Sequence, residues 1–231
     1  LPAGTGLIGT AARAGATVGI GSYDTQTVDL NGAFGNEIGY ANAFARYAHT
    51  GGWRENSQAE QAALSGRGAL YLGKGEAFID YSLYNNHSGM PGGLLSAAYQ
   101  ANPKTSTNPN DSQRSDGYRL RPGVALPITE TLRFEAEVSY DRQNSHFSYT
   151  GGQSDRTRDN WLLTPRIRWQ HGLGGLKSET VAGIDYYSGE LDASVSNYAT
   201  QGVKQDSTGF YIQNTTELGS GWASTIGARN Q

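Results

Sequence analysis

The sequence predicts an all-β protein, an antiparallel up-and-down transmembrane β-barrel of about 10–12 strands. Three observations lead there. Apolar and polar residues alternate through run after run, the connections between runs alternate short and long, and the composition suits turns and strands, with 32 glycines, 14 tyrosines and no cysteine. Successive side chains of an extended strand point to opposite faces, so this alternation gives each strand one face that avoids water and one that needs it.

Taken in order along the chain, the runs repeat one design. Val28, Leu30, Gly32 and Phe34 oppose Thr27, Asp29 and Asn31. Leu64, Gly66, Gly68, Leu70 and Leu72 oppose Ser65, Arg67 and Tyr71, and Ala77, Ile79, Tyr81 and Leu83 oppose Phe78, Asp80, Ser82 and Tyr84. In RLRPGVALPITETLRFEAEVSY (119 to 140), Leu120, Val124 and Leu126 lie opposite Arg119 and Arg121. After the LPITE turn, Leu132, Phe134, Ala136, Val138 and Tyr140 lie opposite Arg133, Glu135, Glu137, Ser139 and Asp141, which makes a hairpin. Trp161, Leu163, Ile167 and Trp169 oppose Thr164, Arg166 and Arg168; Ala182, Ile184 and Tyr186 oppose Asp185. Phe210 and Ile212 against Gln213, then Trp222 and Ile226 against Arg229, complete the series. The periodicity gives about eleven strands of about ten residues and no helix. Pro122 and Pro165 fall inside strand patterns, where a missing N–H implies a bulge or an edge.

Short connections are read at 35–37, 73–75, 126–130, 171–175 and 218–221, and long polar ones at 49–58, 87–116, 146–159 and 189–206. Loops gathered at one end and tight turns at the other are the pattern of outer-membrane barrels rather than of a soluble sandwich. Tyr140, Trp161, Trp169, Tyr186 and Trp222 stand near the ends of apolar faces, where an interfacial girdle belongs. An isolated bacterial barrel has an even strand number, so an odd count ending at GARNQ reads as a cut wall.

A net charge of −3 gives no basic excess for nucleic acid. No run of about 18 apolar residues offers a transmembrane helix. The opening LPAGTG has neither the basic nor the apolar region of a signal peptide, so the chain reads as trimmed and mature, or else as soluble.

GLIGTAARAG (6–15), VGIGSYDTQTVDLNGAFGN (18–36) and FARYAHTGGWREN (44–56) resemble the plug-to-barrel junction, first hairpin and third strand with its loop in TonB-dependent outer-membrane receptors. NNHSGMPGGLLSAAYQANPKT (85–105) resembles the loop of ferric-siderophore receptors that carries Pro-Gly and then a short helix. GTAARAG departs from the family's usual junction, which ends in a Thr/Lys-Arg pair. The resemblance implies a barrel of about twenty-two strands of which residues 1–231 form a single barrel domain or fragment, the N-terminal half, with the plug domain absent. It implies a location in the bacterial outer membrane, lipid and a ferric siderophore or similar small nutrient as partners, and TonB only with the missing plug restored.

Enzymatic chemistry is not expected. His49, His87, His146 and His171 lack metal-ligand spacing, no cofactor motif is present, and GTGLIGT and VGIGSY lack the Gly-Lys-Ser/Thr ending of a phosphate loop. Glu135 and Glu137, about 7 Å apart on one face, could suit a glycosidase. Arginines flank them, which favours a salt-bridge ladder. Arg67, Asp80, Arg119, Arg121, Arg133, Glu135, Glu137, Arg166, Arg168 and Asp185 are expected to line an aqueous lumen, and Trp53, Arg54, Tyr99 and Lys104 to grip an anionic ligand from the loops. The rival readings are a plug-less passive pore made by a smaller closed barrel, and a soluble β-protein that binds carbohydrate or protein.

Overall fold

A computed structural model describes residues 11–196 and 198–230. GTGLIGT and the first half of GLIGTAARAG lie outside the described residues. The strands are β1 (Ala11–Gly21), β2 (Thr25–Gly35), β3 (Gly39–Thr50), β4 (Ala59–Leu72), β5 (Gly75–Gly89), β6 (Ser112–Pro127), β7 (Leu132–Tyr149), β8 (Gly152–Leu163), β9 (Arg166–Leu173), β10 (Leu176–Val195), β11 (Gln201–Gly219) and β12 (Trp222–Asn230). They form one antiparallel sheet in which nearly every strand pairs with its neighbours in sequence. Between β5 and β6 lies one short helix, α1 (Ser96–Ala101), where the resemblance places one. Six residues are too few to show a helical period, which is why the alternation gives no sign of it.

Twelve strands occupy eleven lanes. β8 and β9 hold the same register against β7, with Val138 opposite Leu163 and Glu135 opposite Arg166. They also hold one register against β10, with Tyr186 opposite Leu163 and Gly183 opposite Arg166. Pro165 divides this lane, since it has no N–H to give to β10, although Ile184 N still donates to its carbonyl at 3.0 Å. Pro122 behaves differently from expectation. It stays paired with Ile79, and the register of β6 on β7 is unchanged on either side of it, from Leu120↔Tyr140 to Gly123↔Glu137. A central strand therefore absorbs it with neither bulge nor edge.

The first and last strands, β1 and β12, are not partners, so the described sheet is open. With an odd number of antiparallel lanes these two edges run in the same direction, and a seam between them would have to be parallel. The small closed antiparallel barrel considered above is therefore not what the described residues form.

The tight connections 36–38, 73–74, 128–131, 174–175 and 220–221 share one end of the sheet. Long loops, 51–58 and 90–111, occur only at the other end, together with 22–24, 150–151 and 196–200. Two expected loops are corrected. Residues 146–159 are the arms of β7 and β8 around a two-residue turn, and most of 189–206 belongs to β10 and β11, strands of 20 and 19 residues. Likewise β5 runs on to Gly89 and β6 starts at Ser112 inside the expected loop 87–116. These extensions are polar on both faces, and a strand wetted on both sides has no apolar/polar alternation to reveal it.

The sheet has no hydrophobic core. Among the described residues the only buried apolar side chains are Ala69 and Ala125. The chain exposes 15034 Å², whereas a soluble monomer of 24.7 kDa exposes about 10,000 Å². Both faces of the sheet are uncovered, and on one of them Leu30, Leu64, Ile79, Leu120, Leu163, Ile167, Ile184 and Phe210 stand exposed. No second sheet covers them.

Aromatic residues bound this apolar band. Toward the loops, Tyr118, Tyr140 and Trp161 form a row with ring centroids 5.7 and 4.5 Å apart. Toward the turns, Trp169 stacks on His171. Trp161 and Trp169 are eight residues apart in one lane, about 27 Å along the strand, or about 20 Å in depth at the usual tilt, close to the apolar band of an outer-membrane barrel. Tyr186 and Trp222 share this face, as the sequence indicates.

Candidate functional site

The opposite face of the sheet carries a continuous ionic ladder. Register puts Arg67, Asp80 and Arg121 side by side on β4, β5 and β6. The Arg67 guanidinium donates to Asp80 at 2.8 Å while its plane covers the Phe78 ring at 4.3 Å. Arg121 donates to the same carboxylate at 2.6 Å and reaches Glu137 on β7 at 3.6 Å. Arg166 on β9 bridges Glu137 at 3.7 Å and Glu135 at 2.5 Å, and Arg168 continues from Glu135 at 3.5 Å to Glu179 on β10. Arg133 closes on Glu135 at 3.2 Å. Asp80 and Glu137 thus sit between cations of the lanes on either side, Glu135 among three arginines of β7 and β9, and Glu179 ends the series on Arg168, an arrangement that lets partly buried charges compensate one another.

All ten charged residues expected to share one wall do so by register. Arg119 pairs with Asp141 at 3.2 Å, and Asp185 with Arg229 at 3.1 Å. Alternation alone sets Asp29, Asp141 and Arg229 on polar faces, although not among the ten. It leaves Glu179 and Arg46 unassigned, and Arg46 pairs with Asp29 at 3.0 Å. Beside the ladder, Arg119, Arg121, Glu137, Asp141, Asn160 and Tyr187 line a recess of about 320 Å³. Glycines in the wall make room for aromatic rings: a Cβ on Gly117 would stand 2.9 Å from the Tyr84 ring and 2.6 Å from the Arg142 carbonyl oxygen.

At the loop end, 51–58 is fastened to 90–111. Arg54 donates to the carbonyls of Gly92 at 3.1 Å and Thr105 at 2.9 Å. The Glu55 carboxylate accepts from Ser106 N at 3.2 Å, and Asn56 Nδ2 donates to the carbonyls of Asn108 and Asp111 at 2.6 and 2.7 Å. Asp111 in turn accepts from Thr150 N at 2.7 Å, which ties in the β7–β8 turn. Of the four residues expected to grip a ligand, Trp53, Tyr99 and Lys104 are exposed on this platform. Arg54 is a strut whose two terminal nitrogens are turned to backbone carbonyls.

Replacing Arg54 with alanine is expected to release the two loops from each other. Loss of two charge-assisted hydrogen bonds should raise the rate of tryptic cleavage after Lys104 by about tenfold while the strands stay intact. Lysine at the same position should restore little, because one ammonium cannot hold two carbonyls in a fixed fork. An unchanged cleavage rate in the alanine variant would show that the loops are held elsewhere.

Neither family models nor curated protein sequences match the chain. Solved structures do match. A ferric citrate transporter, FecA, superposes with a TM-score of 0.75 at 16% identity, over 95% of this chain and 37% of that one. The ferripyoverdine receptor of the outer membrane of Pseudomonas aeruginosa gives a TM-score of 0.77 at 10% identity, over 98% and 37%. A copper transporter, OprC, gives 0.71 at 14% identity, over 96% and 36%. The chain thus spans well under half the length of the structures it matches. Its fold is the strand wall of these transporters and receptors, the architecture that the resemblance to TonB-dependent outer-membrane receptors implies.

Proposed function

We propose that the chain forms part of the barrel wall of a bacterial outer-membrane receptor that takes up a ferric siderophore or a similar scarce nutrient. The observation that carries this reading is the sidedness of a single open sheet. An exposed apolar face bounded by an aromatic row toward the loops and by Trp169 toward the turns fits lipid, and the ionic face fits an enclosed aqueous space. Arg67, Asp80, Arg119, Arg121, Arg133, Glu135, Glu137, Arg166, Arg168 and Asp185 line that space and offer ion pairs to whatever fills it. Trp53, Tyr99 and Lys104 present aromatic planes and a cation to an anionic ligand from a platform that Arg54 stiffens. Binding and transport, not catalysis, are the chemistry of these surfaces.

The test uses the full-length protein in cells with and without TonB, supplied with radiolabelled ferric citrate or ferripyoverdine, or with copper. TonB-dependent uptake of one of them is the expected result. Changing Trp53, Tyr99 and Lys104 together to alanine should weaken binding of that nutrient by about tenfold or more. Salt-dependent single-channel conductance without saturable uptake would replace this reading with a passive pore. A folded, monodisperse protein in the absence of detergent would replace it with a soluble binding module.

A further inference from the structure

Above the ladder, toward the loops, the ionic face carries two cations that no acid answers. Arg156 and Arg158 stand on the loop-end arm of β8, on the same side as Asn160 and Asp141, and neither makes an ion pair among the described residues. Arg67, Arg119, Arg121, Arg166 and Arg168, lower on the same face, each touch a carboxylate. Register explains the difference. From β5 to β11, every strand acid above the Arg119–Asp141 pair, namely Asp116, Asp155, Asp159, Glu190 and Asp192, belongs to the opposite face. Arg156 stands between Ser145 on β7 and Ala193 on β10, and Arg158 between Gln143 and Leu191.

The two guanidinium groups are positioned without being neutralised. Arg158 Nη2 donates to Gln143 Oε1 at 2.5 Å, and the Arg156 guanidinium carbon lies 5.5 Å from the centroid of the Phe147 ring. An amide oxygen and an aromatic face orient a guanidinium yet leave most of its five N–H donors, and all of its charge, to another molecule. Both side chains are exposed. They leave the strand two residues apart, about 7 Å, a separation that two carboxylates of one small chelate can span. A wall that bears one sign of charge concentrates ions of the other sign. We propose that Arg156 and Arg158 are cargo-binding residues that select a ferric chelate with net negative charge and free carboxylates over neutral or cationic chelates. The proposal deepens the receptor reading and rests on it. It places selection by charge on the strands of β8 rather than on the loops.

The probes are radiolabelled ferric citrate, an anion, and radiolabelled ferrichrome, a neutral trihydroxamate chelate, each titrated onto the full-length protein in non-ionic detergent. Ferric citrate is expected to bind at least about tenfold more tightly, with an affinity that falls as salt rises. R156Q and R158Q should each weaken it by about tenfold, and R158K, which keeps the charge, by less. K204Q, a cation changed on the opposite face of the β11 arm, should leave it unaltered. Heat-modifiable gel migration identifies the variants that have folded, and the salt response of the unaltered protein tests the charge without any variant. Equal affinity for the two chelates, unchanged affinity in folded R156Q R158Q, or equal loss in K204Q would overturn the assignment. Uptake in cells separates the two levels. TonB-dependent uptake of ferrichrome or copper without binding of ferric citrate refutes the charge selection alone, whereas no saturable uptake of any of the three refutes the receptor reading.

Discussion

An arginine at Leu163 is expected to prevent most of the protein from reaching a folded, heat-modifiable form in detergent or lipid, while an arginine at Leu162 is expected to be tolerated. The two leucines are consecutive in β8 and similarly exposed, 40% and 38%. Composition and burial alone do not distinguish them. Register does: Leu163 stands beside Val138 and Tyr186 on the apolar face, and Leu162 beside Ser139 and Tyr187 on the ionic one. A charge facing hydrocarbon costs roughly 2–4 kcal/mol at mid-depth and less toward the interfaces, so at Leu163, two residues inside the Trp161 row, a cost of about 2 kcal/mol is expected, while the same charge in a wet lumen costs little. The measurement is the folded fraction of each variant across a urea series in lipid vesicles. Equal tolerance of both arginines would mean that both faces meet water and would end the membrane reading.

The second large effect is expected at Glu135. Its side chain is 12% exposed and lies within 2.5 to 3.5 Å of Arg166, Arg133 and Arg168. Glutamine there keeps the shape but leaves three guanidinium groups facing one another without their shared anion. The arginines are about one-third exposed, so water screens part of the repulsion and the loss should fall near the low end for a broken partly buried pair, about 2 kcal/mol. The urea midpoint should therefore drop in E135Q. Added salt should recover part of it, and R166Q combined with E135Q should cost less than the two changes separately. Additive losses with no salt response would show that Glu135 acts through packing and not through charge.

Both results bear on how much the chain's own pattern determined. Alternation with period two was enough to assign Phe134 and Val138 to one face and Arg133 and Glu135 to the other, because a strand between oil and water must alternate. It was also enough to place the tight turns, where glycine-rich segments interrupt the alternation. The same rule failed where its cause was missing. The arms of β7 with β8 and of β10 with β11 rise beyond the aromatic row, both of their faces meet polar surroundings, and no sequence contrast separates such a strand from a loop.

Other features were decided by the tertiary structure. Which arginine meets which carboxylate depends on register, and register is fixed by hairpin geometry and by the hydrogen bonds of whole ladders rather than by any single residue. Glu179 became the end of the ladder only because β10 lies beside β9. Arg54, by composition a free cation on a loop, is fixed by carbonyls more than thirty residues away in sequence. The residues by themselves determined which side of the wall each strand offers to oil. Only the assembled sheet determined how far the wall extends and which charges meet across it, because those depend on neighbours that one-dimensional order does not bring together.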